Sequence, residues 1–119
     1  MMHSVGKSFT ANANPQDIFV VPNGYVAHVS LVYITNTSGS TGTYNISWRH
    51  AHGNPPVYNH VIRFGYGKSL SSGASDQFSQ GVLVMKSLDK MTITAGMDVD
   101  VIVSFDLLQA PPLYAFAGD

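Results

Sequence analysis

Between two chain-breaking segments, Val21-Pro22-Asn23-Gly24 and Asn36-Thr37-Ser38-Gly39-Ser40-Thr41-Gly42, runs the uninterrupted stretch Tyr25 to Thr35, YVAHVSLVYIT. β-Branched and aromatic residues dominate it, and its polar residues lack the 3.6-residue spacing of a helix, so it reads as one long strand. Side chains alternate across a strand, which puts Tyr25, Ala27, Val29, Leu31 and Tyr33 on one wholly apolar face. The other face mixes Val26, His28, Ser30, Val32 and Ile34, a surface suited to partial cover. Burying the odd side is worth roughly 1.5 kcal/mol or more for each large residue, so the strand is expected at the centre of a sheet with that side inward.

Further strands follow from the same reasoning. Asp17 to Val21 is a short strand stopped by Pro22, which has no N–H for a ladder. From Thr43 to His50 the residues Tyr44, Ile46, Trp48 and His50 alternate with Thr43, Asn45, Ser47 and Arg49. Pro55 and Pro56 break the pattern before Val57 to Phe64 resumes it, and Gly65 to Ser75 reads as a Gly/Ser-rich surface loop. Short strands are expected at Asp76 to Ser79, Val82 to Met85 and Met91 to Ala95, with Ser87-Leu88-Asp89-Lys90 as a turn. The last strand sets Val99, Val101, Val103, Phe105 and Leu107 against Asp98, Asp100, Ile102, Ser104 and Asp106. About eight short strands near ten-residue spacing, with no helical segment, indicate an all-β antiparallel β-sandwich, jelly-roll or immunoglobulin-like. One sandwich domain over 15–109 is flanked by an N-terminal arm, 1–14, and a C-terminal tail, 110–119. The apolar Phe9 of the arm and Leu113, Tyr114 and Phe116 of the tail are the candidate subunit-contact residues.

Composition narrows the partners. At 119 residues the chain holds a single core, and only 11% of it is charged with a formal net charge of −1, so copies repel one another weakly. The six Lys and Arg residues are scattered, unlike the basic patch of a nucleic-acid binder. Cysteine is absent, which removes disulfides and thiolate metal sites. The first residues lack the apolar core of a signal peptide, and no run approaches the ~18 apolar residues of a membrane span. No nucleic acid and no membrane is therefore expected as a partner.

Chemistry-bearing patterns are weak. His50 and His52 are spaced to point the same way on a strand, and Asp98 and Asp100 share a face, yet neither pair brings a third ligand in its own segment. A Gly-x-Ser-x-Gly elbow is missing, and the chain has no glutamate for a glycosidase pair. Gly65-Tyr66-Gly67-Lys68-Ser69 lacks the spacing and the following helix of a phosphate loop. Tyr44, Trp48, Tyr58 and Phe64 could line a sugar platform, although their spacing fits core packing better. The residues point to no enzyme, no cofactor and no metal.

The turn Val21-Pro22-Asn23-Gly24, the long strand and its Ile34-Thr35-Asn36-Thr37 corner resemble small β-sandwich structural proteins of tailed bacteriophages. Val82-Leu83-Val84-Met85 with Leu88-Asp89-Lys90-Met91-Thr92-Ile93, and Val99 to Asp106, are similar to later segments of that pattern. The resemblance spans about Val20 to Leu107. It implies a virion part that is not an enzyme: a head decoration or cement protein on the capsid surface, made in the host cytoplasm, or a neck or tail component. The partners it implies are the major capsid protein and copies of the chain itself, as dimer or trimer. A carbohydrate-binding or receptor-binding module built on Trp48 and the tyrosines is the alternative.

Overall fold

The computed structural model describes residues 2–79 and 83–110, and among these it holds nine strands and no helix. They are β1 (Met2–Phe9), β2 (Asn12–Val20), β3 (Tyr25–Asn36), β4 (Gly42–His52), β5 (Val57–Leu70), β6 (Ser75–Phe78), β7 (Leu83–Met85), β8 (Lys90–Ala95) and β9 (Val99–Gln109). One sheet has the order β1-β9-β3, with β6 and β7 both against the far side of β3; the other has the order β2-β8-β4-β5. All pairings are antiparallel, and the buried apolar residues of both sheets form one cluster between them. The expected all-β sandwich is the fold observed.

β3 is the central strand, but its buried side changes partway along. Val29 pairs with Phe105 and Leu31 with Ser104, so Ser30 is one residue extra on β3, and its hydroxyl donates to the Ser104 carbonyl at 3.3 Å. This bulge exchanges the two faces. Ala27 and Val29 point inward before it, and Val32 and Ile34 point inward after it. The expectation that Leu31 and Tyr33 lie in the core is therefore corrected: both are half-buried on the opposite side. Ile18 is similarly extra on β2, between the Asp17–Thr92 and Phe19–Met91 pairs, and consecutive Ile18 and Phe19 are both buried.

Two further expectations change. Residues 2–9, read as an arm, form β1, which pairs with β9 along its whole length; Phe9 packs half-buried against the core instead of standing free. The stretch from Gly65 to Leu70, read as a loop, continues β5. It can do so because Gly65 lies where a Cβ would stand 2.8 Å from Ile46, and because Gly67 takes a φ of 61° at a bulge, with its N–H on Asn45 Oδ1 at 2.6 Å. β9 lies between β1 and β3. Leu113, Tyr114 and Phe116 lie outside the described residues, as does Val82.

The face exchange predicts unequal costs on the two sides of β3. Ile34→Ala, at a buried position, should lower stability in urea unfolding by about 2 kcal/mol or more. Leu31→Ala, on the outer side, should cost about 1 kcal/mol or less. Similar losses for the two variants would refute the face exchange.

Candidate functional site

The densest polar arrangement sits at one end of the sandwich, on the turn between β7 and β8. Asp89 has no exposed surface. Its carboxylate accepts the indole N–H of Trp48 at 2.9 Å, the backbone N–H of Ala51 at 2.8 Å and that of Lys86 at 3.0 Å, and His50 Nδ1 lies 3.2 Å from Oδ1. A carboxylate buried this fully is tolerable only when its oxygens are matched in this way. Leu88, the residue before it, holds a φ of 68°, a costly conformation for a side chain of its size. Its N–H donates to the Val21 carbonyl and its own carbonyl accepts the Tyr58 hydroxyl at 2.7 Å, so both neighbours fix the strained turn. Nearby, the Lys90 ammonium lies 4.2 Å from the Tyr58 ring centre and 3.3 Å from Asp17. Burial, followed by the Asp17 and Asp89 charges, pushes the Tyr58 hydroxyl above its ordinary pKa. This cluster ties β2, β4, β5 and the β7–β8 turn together, and its acceptor oxygens are used by the protein itself.

Two other buried polar contacts hold the opposite end and the middle. Asn36, fully buried at the end of β3, donates to the carbonyls of Ser40 and Leu70 and accepts from Ser38 N–H and Oγ, which shapes the loop that follows. Tyr44 on β4 reaches across the sandwich and donates to Asp76 on β6 at 2.6 Å. Burial, with the hydrogen bond to Asp76, raises its pKa far above the ordinary 10.0.

The two residue pairs weighed as ligands are engaged within the chain. Asp98 accepts Ala11 N–H at 2.9 Å, and Asp100 accepts the Ser8 hydroxyl at 2.6 Å. The His50 and His52 ring centres are 6.3 Å apart, with His50 turned to Asp89. His3 stacks on Phe105, His28 lies on the outer side of β3, and His60 is exposed opposite His50. Among the described residues no three His, Asp, Glu or Cys side chains gather as metal ligands. The aromatic quartet does not form a platform: Tyr44 is core, Trp48 is half-buried with its N–H on Asp89, Tyr58 is fastened to Leu88, and Phe64 stands edge-on to Phe78.

The two outer faces differ in character. On β4 and β8 the outer face carries Thr43, Asn45, Ser47, Arg49, Thr92 and Thr94, and Arg49 Nε donates to Thr92 at 3.0 Å. On β9, β3 and β7 the outward rows pair Ile102 with Tyr33, Leu108 with Val26, and Val84 with His28, and no Lys or Arg stands among them. Ile102, Leu108 and Val84 are each more than two-fifths exposed. On β9 they alternate with Asp100, Ser104 and Asp106, so this face mixes exposed apolar side chains with polar and acidic ones and holds no cation, a composition that suits contact with another protein surface.

Asp89→Ala should cost about 3 kcal/mol or more in chemical unfolding, because it leaves buried N–H groups without an acceptor. The fluorescence of Trp48, the sole tryptophan, should change in the folded state as its N–H loses its partner. A loss under about 1 kcal/mol would show that the cluster is not structural. For Tyr44, the raised folded-state pKa sets the sign: its contribution is complete below about pH 10 and falls away as the pH rises above that value. Tyr44→Phe should therefore lower stability at neutral pH and flatten the alkaline decline seen in thermal melts of the parent.

No protein-family model matches the chain, and no curated protein sequence matches it. Solved structures share its fold. A chain in the capsid structure of Helicobacter pylori bacteriophage KHP30 superposes with a TM-score of 0.59 at 11% identity, covering 92% of this chain and 93% of that one. A chain of the Bacillus endospore appendages, a family of disulfide-linked pili, gives 0.51 at 17% identity over 93% and 88%. A chain of the T13 IBDV viral particle gives 0.52 at 8% identity, with 97% of this chain spanning 41% of that one. The β-sandwich described above is thus similar to that of chains found in a phage capsid, a viral particle and a pilus.

Proposed function

We propose that this chain is a structural subunit of a virion, acting as a decoration or cement protein on a capsid surface. The observation that carries the reading is the sandwich common to this chain and the KHP30 capsid chain over more than nine-tenths of each. The outer face of β9, β3 and β7, where Ile102, Leu108 and Val84 are exposed among polar residues with no Lys or Arg, supplies a contact surface consistent with it. The partners are the major capsid protein and further copies of the chain; nucleic acid, membrane and catalysis play no part.

The mechanism is mechanical. A sandwich pinned by Asp89, Asn36 and Tyr44 transmits force without rearranging, because each pin is hydrogen-bonded to backbone or side-chain groups of separate elements. A subunit that binds only the closed shell stabilises it by mass action, and repeated copies multiply a weak single contact. A carbohydrate-binding role is less well supported, since the Trp48 indole is spent on Asp89.

Particles assembled with and without the chain should differ in the temperature at which they release their genome, with the lower value in its absence. Adding purified protein should restore the higher value, whereas Ile102→Asp, at an exposed position, should fold normally and fail to restore it. Equal heat resistance of complete and deficient particles would refute the proposal.

A further inference from the structure

The described residues leave four sheet edges, and three of them are blunted. β5 is out of register with β4 at three places and carries the positive-φ Gly67. β2 contains Pro15, which has no N–H, and shifts register twice against β8. The edge beyond β3 consists of two short pieces, β6 and β7, of four and three residues. Bulges, prolines and shortness are the means by which proteins keep edges from pairing.

β1 has no bulge and no proline, and of the other device that blunts edges, charged side chains, it carries a single lysine. Its eight residues, MHSVGKSF, pair with β9 in unbroken register from Met2–Asp106 to Phe9–Val99. It contains no proline, and its one charged side chain is Lys7. Alternate residues of a strand held on one side turn their N–H and C=O outward, so β1 presents a regular unpaired row.

We infer that β1 is the edge through which two copies of this chain associate, β1 against β1 in antiparallel register, extending the first sheet across a two-fold axis. The occupant is a second copy because the strand complements itself. With the axis at Gly6, Lys7 faces Val5, Ser4 faces Ser8, and His3 faces Phe9, so no like charges are opposed. A formal net charge of −1 leaves little repulsion between approaching copies. Pairing of this kind is isologous and closed: it satisfies both open edges and creates no new one. It also sets the outward rows of the two sheets side by side, with Met2, 64% exposed, at the seam.

The inference deepens the self-association within the proposed function, and its test needs no capsid, so either idea can fail alone. Sedimentation equilibrium of the full chain should show a dimer that dissociates on dilution, and hydrogen exchange at β1 amides should slow as the dimer forms. Ser4→Lys with Ser8→Lys sets added ammonium groups face to face twice. That should weaken dimerisation about tenfold, while the thermal midpoint of the dilute monomer holds. Because the chain has no cysteine, Gly6→Cys gives an independent check: mild oxidation should link two copies across the axis. A chain that stays monomeric at every concentration would overturn the inference. So would a dimer that resists the double substitution and fails to cross-link through Gly6→Cys, including one held by another surface or closed by a different segment.

Discussion

A strand buried on one side obeys a strict parity, and the single extra residue at Ser30 reverses that parity in the middle of the central strand. Everything around β3 depends on this reversal. Before it, Ala27 and Val29 meet the opposite sheet; after it, Val32, Ile34 and Asn36 do. Were Ser30 paired into a straight ladder instead of bulged, Asn36 would face outward, away from the Leu70 carbonyl, and the loop it shapes would lose its anchor. The reversal also sends Leu31 and Tyr33 outward beside Ser104 and Ile102, placing apolar side chains among the polar ones on the outer face of this sheet.

The buried polar groups do a different job from the apolar core. Dispersion and the hydrophobic effect hold two sheets together without fixing how they lie, because both are non-directional. Asp89, Tyr44 and Asn36 supply direction. Each is fully or almost fully buried, and each bonds to elements far away in sequence. Their cost of desolvation is met only in one arrangement, so they penalise slipped alternatives more than they stabilise the native one. The strained Leu88 belongs to the same economy of the turn: its φ is tolerated because Val21 and Tyr58 hold both of its backbone polar groups.

Much of this was legible in the residues. Alternation located most of the strands, and β9 keeps the expected parity from Val99 to Phe105 with no interruption. What alternation could not reveal was where it breaks. Ser30, Ile18 and the β5 bulges at Phe64 and Gly67 leave no compositional mark beyond a serine or glycine in an apolar run, since their cause is the neighbouring strand. β1 was hidden for a related reason: with Gly6, Ser4 and Ser8 it has little propensity of its own, and it is ordered by β9. Asp89 read as an ordinary turn residue. Only the approach of Trp48, His50 and Ala51 from a distant strand makes it the centre of a cluster.

The contrast between the two sheets gives the association proposal its logic. The outer face of β4 and β8 satisfies itself: Arg49 is spent on Thr92, Asn45 on Gly67, and Ser47 and Thr92 are already buried. Its edges are bulged or interrupted by proline, so this sheet offers a neighbour little that is unsatisfied. The β1-β9-β3 sheet differs, with Ile102, Leu108 and Val84 exposed on its outer side and a regular strand at its margin. A chain with so few charges cannot rely on electrostatic repulsion to keep that margin solitary. Pairing it with a self-complementary copy removes the exposed edge and sets two cation-poor outer faces side by side in one step. Two weak contacts held rigidly side by side then act on a partner surface as one, which is how a small, nearly neutral sandwich can bind a large repeating array.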